Sequence, residues 1–288
     1  MKIPYQLIKD ESQFLPSEVS AVSSLSLAEC LERRLLIGPD TKKELVASKE
    51  GDFLEGGFNS EDKTVSYAIK HGCPVLYPKE ISDLGRRDGG LPLNYPASSL
   101  QQYALLSQIK QSGEINAPLD SIPARKHQFR FREFCKRLTG LVLDVGSDKP
   151  SHSMQLLPSG CEYIGLDPYA GHGEFRVIGL GEILPISDSS VDAVLFNTSL
   201  DHILDYHTAI EESHRVLTPG GRVVIATYAW LERATLITDS VHFHHFREFE
   251  ITGALENRFY IEKVRRYEDP KHETHRYGLY VMGKRRSN

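Results

Sequence analysis

The chain of 288 residues carries 34 Lys and Arg against 39 Asp and Glu, a formal net charge of −5, so nothing global draws it to nucleic acid or to an anionic membrane. Hydrophobic residues make up 40% and charged residues 25%, as in an ordinary globular protein. No apolar run reaches the ~18 residues of a membrane span, and the opening MKIPYQLIKDESQFLPSE is too broken by charge and proline for a secretory signal, so a cytoplasmic protein is expected.

Before residue 97 the chain holds LLIGPDTKKEL and YAIKHGCPVLYPKEI, short apolar runs among charges. Two stretches dense in Gly, Pro and charge, 85–96 and 113–123, read as linkers. Between them, 98–112 spaces Leu100, Tyr103, Leu106 and Ile109 for one helical face. A second amphipathic helix is expected over 123–138, with Phe131, Phe134, Cys135 and Leu138 at i, i+3, i+4 and i+7. Its basic residues, from Arg125 to Arg137, read as a solvated face or as a grip for phosphate.

Short apolar strands then alternate with helices. The expected strands are LVLDVG (141–146), EYIGLD (162–167), FRVIGL (175–180), VDAVLFNTS (191–199) and RVVIATY (222–228). Helices are expected near 151–157, over 205–217 until Thr218-Pro-Gly-Gly221 stops them, and around 246–255. Segments 259–268 and 275–285 alternate across a polar turn and read as an antiparallel pair. The pattern implies an α/β fold: a doubly wound, Rossmann-like, seven-stranded sheet with an antiparallel C-terminal hairpin, plus a small N-terminal α+β domain.

In such a sheet, ligands bind beyond the carboxyl ends of the strands, where strand order reverses. Three features fall there: Asp144-Val-Gly146-Ser147-Asp148, Asp167-Pro168, and the run from Asn197 to Asp201-His202. Asp167 lies 21 residues after Gly146, near the offset at which a carboxylate meets both hydroxyls of a ribose; a helix-capping aspartate is the plainer alternative. Gly146 suits a tight strand-to-helix turn with or without a ligand. A dinucleotide needs a glycine-rich loop against its pyrophosphate, and Asp148 puts a carboxylate there instead. That disfavours a dinucleotide and is compatible with S-adenosylmethionine, which has no phosphate and carries an ammonium that Asp148 can meet.

As a set, LVLDVG, YIGLDP, EILPISDSSVDAVLF and RVLTPGGRVVIAT resemble the successive motifs of class I S-adenosylmethionine-dependent methyltransferases, especially the small-molecule type related to the ubiquinone and menaquinone methylases. The resemblance implies that Asp144, Gly146 and Ser147 line the methionine end of the cofactor. It further implies that Asp167 holds the ribose, Gly181 and Glu182 edge the adenine, and Asn197 lies beside the cofactor. The sequence departs from that pattern at Asp148 and Pro150, where further glycines are usual, and at Leu180, where an acidic residue is usual.

LLIGPDTKKEL and the run ending YPKEI resemble the small Trm112-like zinc-ribbon domain. The positions of its four zinc cysteines fall here on Gly38, Thr41, Ser60 and Lys63, so no zinc can be held there and no metal is assigned. The four cysteines present, Cys30, Cys73, Cys135 and Cys161, form no CxxC pair and no disulfide framework. Packing from Val65, Tyr67, Ile69, Val75, Leu76 and Tyr77 is expected to replace the metal.

The division expected is 1–97 as a Trm112-like domain lacking zinc ligands, with linker, and 98–288 as the methyltransferase domain. Methyl transfer to O, N or C of a small molecule or biosynthetic intermediate is the expected activity. His202, Asp201, His242 and His245 are the candidate catalytic residues, although the 242–245 histidines also suit ordinary hydrogen-bonded burial. Two alternatives stay open: a non-catalytic module that binds or activates a partner, and an RNA methyltransferase. A small-molecule acceptor is expected, without membrane or nucleic acid, and the N-terminal domain is the surface for a homo-oligomer or a protein partner.

Overall fold

The computed structural model describes residues 22–49, 51–58, 64–78, 122–168, 174–232, 234, 242–269 and 275–287. The expected 98–112 helix, the 85–96 linker, the 97/98 boundary, Ser60 and Lys63 lie outside them.

The central sheet is built on β6 (Gly140–Val145), β7 (Cys161–Asp167), β8 (Val177–Ile178), β9 (Val191–Asn197), β10 (Leu217–Trp230), β11 (Phe259–Glu268) and β12 (Arg276–Arg285). An eighth strand, β1 (Ser23–Ser24), comes from the N-terminal region. Their order is β1-β7-β6-β9-β10-β12-β11, with β8 also on β7. The pairs from β7 to β10 are parallel, and β12 lies antiparallel between β10 and β11. The sheet is therefore the Rossmann-like one expected, with its C-terminal hairpin.

Alternation sorts the strands' side chains to two faces. Leu141, Leu143, Val145, Val194, Phe196, Val223 and Ile225 enter one core, with Ala209 and Ile210 of α4 (Tyr206–Val216) and Ile251 and Leu255 of α5 (Glu248–Glu256). Val142, Tyr163, Ala193, Leu195 and Val224 enter the other, under Phe131, Phe134 and Cys135 of α2 (Ile122–Cys135). Covered on both sides, β9 buries Val191 and the whole run from Ala193 to Phe196, which is why it reads as a continuous apolar segment. Asp205 caps α4 by accepting the Thr208 N–H at 3.0 Å. A short α3 (Pro150–Met154) follows β6, with proline in its first turn.

Two expected elements differ in length. The third strand shrinks from six residues to two, Val177–Ile178, since Leu180 turns back to pair with Ile183; before it, the Arg176 guanidinium donates to the Asp148 carbonyl. The fifth starts early, at Leu217, and runs through the Thr218-Pro-Gly-Gly turn by a register shift between Leu217 and Arg222.

The N-terminal region forms α1 (Leu27–Glu32) and a four-stranded antiparallel sheet of β2 (Val46–Ala47), β3 (Phe53–Phe58), β4 (Thr64–Lys70) and β5 (Cys73–Pro74). Ser26 and Glu29 cap α1 reciprocally. The four cysteines are free and buried. Around Gly38 and Thr41, Tyr67 fills the interior: its hydroxyl donates to Asp40 Oδ2 at 2.9 Å, and Thr41 donates to the Gly56 carbonyl. Leu36, Leu45, Leu54, Val65, Tyr67 and Leu76 belong to the same apolar cluster as the central sheet's first face. The joint is also a backbone one. Ser23 and Ser24 pair with Glu162 and Tyr163, Leu36 bridges Ile186, and Val75 bridges Ile178. The open edge of β7 and β8 is thus covered by the chain's own N-terminal region.

Candidate active site

Strand order reverses between β6 and β9, and the loops leaving these two strands meet at that point. Gly146 has φ +83°, and a Cβ built on it would lie 2.4 Å from the Cβ of Ser199. The Ser199 hydroxyl donates to the Val145 carbonyl, at 2.5 Å. Only glycine fits there. Two residues on, Asp148 takes φ +44°, the left-handed region that aspartate tolerates better than most residues. The loop therefore keeps a glycine-like bend without the glycine.

The Asp148 N–H donates to Asp167 Oδ2 at 2.9 Å, tying the end of β7 to this loop. Asp167 is 2% exposed. Beside it, Pro168 accepts a hydrogen bond from the Tyr77 hydroxyl, and Leu76 N–H donates to the Ile178 carbonyl at 2.7 Å. One wall of this corner thus comes from before residue 79. Gly181 is buried against Ile203, and Glu182 accepts from the Asp205 N–H at 3.4 Å. Leu180 is 4% exposed and paired with Ile183, so it packs in the core. Ser147 is buried.

Asp144 is fully buried and accepts the Tyr163 hydroxyl at 2.7 Å. Burial raises its pKa to about 6, against hydrogen bonds from Ser153 and Tyr163 that lower it.

At the end of β9, Asn197 Oδ1 lies 2.8 Å from His127 Nε2, and His127 Nδ1 lies 2.6 Å from the Tyr280 hydroxyl. An amide oxygen only accepts, so with the Asn197 amide in this orientation Nε2 carries the ring proton and Tyr280 donates to Nδ1. Burial lowers the His127 pKa and keeps the ring neutral. His127 and Tyr280 escape a reading of the sequence that takes the 125–137 run as a solvated face. Their signal is that His127, Phe131 and Phe134 stand at i, i+4 and i+7. Just past the end of that helix the chain does carry exposed charge: Lys136 and Arg137 line a groove of about 550 Å³ with Arg222, Lys263, Arg265 and Glu262.

The four candidate catalytic residues converge. Leu200–His202 forms a 3-10 turn after β9, and the segment beginning at His242 lies across it. Phe243 and His244 N–H groups both donate to the Asp201 carbonyl, at 2.9 and 3.2 Å. The His202 and His242 ring centroids are 4.5 Å apart, and His242 Nε2 lies 3.9 Å from Asp201 Oδ2. His245 stands 6.0 Å from His242, ring to ring, beside Trp230. His244 instead braces the backbone, with its Nε2 2.9 Å from both the Ile203 and Leu204 carbonyls. Although the sequence assigned no metal, Asp201, His202 and His242 bring one ligand atom each within 4.8 Å of one another.

A parallel sheet continued by an antiparallel hairpin, with the loops of β6, β7 and β9 converging at the reversal, is the fold of the class I methyltransferases. Residues 143–225 match the family model described as "Methyltransferase domain". The chain is 28% identical over 127 residues to a ubiquinone/menaquinone biosynthesis C-methyltransferase of Geotalea daltonii, covering 44% of this chain and 52% of that protein. It is 33% identical over 95 residues to a demethylmenaquinone methyltransferase of Corynebacterium efficiens, covering 31% of this chain and 41% of that one. The chain thus spans about half the length of the curated relatives it matches. In fold it resembles the 1,6-didemethyltoxoflavin-N1-methyltransferase of Burkholderia thailandensis, with a TM-score of 0.54 at 18% identity, over 68% of this chain and 95% of that one. Among the described residues no helix is long and apolar enough to cross a membrane.

Proposed function

We propose that this protein transfers a methyl group from S-adenosylmethionine to an O, N or C nucleophile of a small molecule. The observation that carries the reading is the meeting of the loops at the β6–β9 reversal, where Gly146 is pressed on Ser199, Asp167 holds the Asp148 N–H and Asn197 is held by His127. Its donor set suits the cofactor: carboxylates at Asp148 and Asp167 repel a pyrophosphate but match an ammonium and a ribose diol. Bound S-adenosylmethionine supplies an electrophilic methyl group on a sulfonium.

In this reading Asp144, Gly146, Ser147 and Asp148 take the methionine end, Asp167 and Pro168 the ribose, and Gly181 and Glu182 the adenine edge. Asn197, held by His127, lies beside the cofactor. Holding the acceptor in line with the methyl group is the larger contribution. Asp201, His202, His242 and His245 face the acceptor, and a base is needed only when it must lose a proton. The activities for which the relatives are named, on quinone precursors and on 1,6-didemethyltoxoflavin, support a small-molecule acceptor. Residues 98–288 are the methyltransferase domain in this reading, and residues 1–97 a Trm112-like cover without zinc.

Calorimetric titration with S-adenosylmethionine and S-adenosylhomocysteine tests it. Binding of about one equivalent, weakened by Asp167→Ala, is the expected result. No heat at millimolar cofactor overturns it in favour of the non-catalytic module.

A further inference from the structure

We propose that Asp201, His202 and His242 form a binding site for one divalent transition-metal ion, such as zinc(II) or cobalt(II). Two imidazoles and one carboxylate with further positions left open are the donor set of catalytic zinc and non-haem iron sites.

The geometry supports this in three ways. First, the three ligand atoms lie within 4.8 Å of one another. Bonds of about 2.0–2.2 Å to a single ion bring ligands to about 3–3.5 Å apart, so the set closes on an ion by side-chain rotation of about an ångström. Second, the separation of His242 Nε2 from Asp201 Oδ2, 3.9 Å, is too long for a hydrogen bond and short enough for two ligands of one ion.

Third, the frame is already built. Asp201 and His202 are consecutive in the 3-10 turn, and two backbone hydrogen bonds from Phe243 and His244 to the Asp201 carbonyl fix the strand of chain that carries His242. His244, spent on the Ile203 and Leu204 carbonyls, pins the same crossing from the far side.

Asp201 itself points to a ligand. It is 8% exposed, and its Oδ1 is buried without a hydrogen-bond partner. A carboxylate desolvated in this way is costly unless a cation or further donors compensate it. His202 and His242 are only half-buried, which leaves the open side of the set facing away from the core. An ion held there offers its remaining positions to an oxygen-bearing acceptor and lowers the pKa of that oxygen. This use rests on the methyl-transfer reading above; the binding of the ion does not.

The test is titration of the full-length, chelator-stripped protein with Zn(II) by calorimetry and with Co(II) by visible absorption. Wild type is expected to take one ion per chain with micromolar affinity or better, and Co(II) to give ligand-field bands of a low-coordinate nitrogen–oxygen site. Asp201→Asn, His202→Gln and His242→Gln should each weaken that binding at least ten-fold, whereas His71→Gln, on an exposed turn of the N-terminal region, should leave it unchanged. Wild type that binds no ion overturns the proposal whatever the variants do. So does an ion that all three variants retain, which then sits elsewhere among the 12 histidines. S-adenosylhomocysteine titrated into the same preparations separates the two readings: ion binding without cofactor binding sinks methyl transfer alone, and the reverse sinks the metal site alone.

Discussion

Asp144 makes the fold's stability depend on pH in a direction opposite to that of a salt-bridged carboxylate. Its folded pKa stands at about 6 against an ordinary 3.8 because burial penalises the ionised form. Below pH 3.8 both folded and unfolded chains hold the proton, and the group contributes nothing to the difference. Between 3.8 and about 6 the unfolded chain releases it first, so stability falls as pH rises, and above 6 the full penalty of about 3 kcal/mol is present. Asp144→Asn removes the titration while an amide oxygen can still accept from Tyr163. The free-energy gap between variant and wild type should therefore move by about 2.5 kcal/mol in the variant's favour between pH 4 and pH 7. Urea denaturation at several pH values measures it, and carboxylates with depressed pKa values, such as Glu174 and Asp205, cancel in the difference. Parallel curves for the two proteins would show that Asp144 ionises freely in the fold.

Asp167→Ala should weaken cofactor binding by roughly ten-fold to several hundred-fold, through charge-assisted bonds of about 1.5–3 kcal/mol; calorimetry with circular dichroism as the control measures it. Gly146→Ala should destabilise the fold by about 2–4 kcal/mol, since it combines a positive φ with a Cβ 2.4 Å from Ser199; a thermal melt reads this directly. Tyr280→Phe should cost about 1 kcal/mol of stability and lower turnover more than cofactor affinity, because it frees the His127 ring that holds Asn197; kinetic constants and a melt on one preparation check both parts. RNA binding should be weak and lost near physiological salt, as a filter-binding series across salt concentrations will report.

The central sheet is legible in the sequence because its strands are buried on both faces, so each reads as an uninterrupted apolar run. The hairpin is legible for the opposite reason, its alternation and its polar turn. Ser23–Ser24 is not, since two exposed serines pair through backbone alone and leave no hydrophobic signature. His127 is obscured by the charges around it, although its spacing with the two phenylalanines carries the information. Asp148 breaks the glycine pattern yet keeps the bend, because left-handed backbone is a matter of conformation and aspartate can adopt it. The convergence of Asp201 and His202 with His242 cannot be read from chain positions about 40 residues apart. It depends on β9 and β10 being neighbours and on which way the segment before α5 crosses the turn.

The pairing of the N-terminal region with β7 also governs the order in which this chain can fold. Arg33 reaches Glu162 across 129 residues of sequence, and the Leu25 N–H waits for the Tyr163 carbonyl. At a synthesis rate of about 5–20 residues per second, roughly 6 to 26 s separate the emergence of the two partners from the ribosome. Until β7 is made, Leu25 and Leu36 have no central sheet to lie against, and this segment is among the last to be secured. Such non-local closure slows folding and leaves apolar surface exposed to chaperones while it lasts.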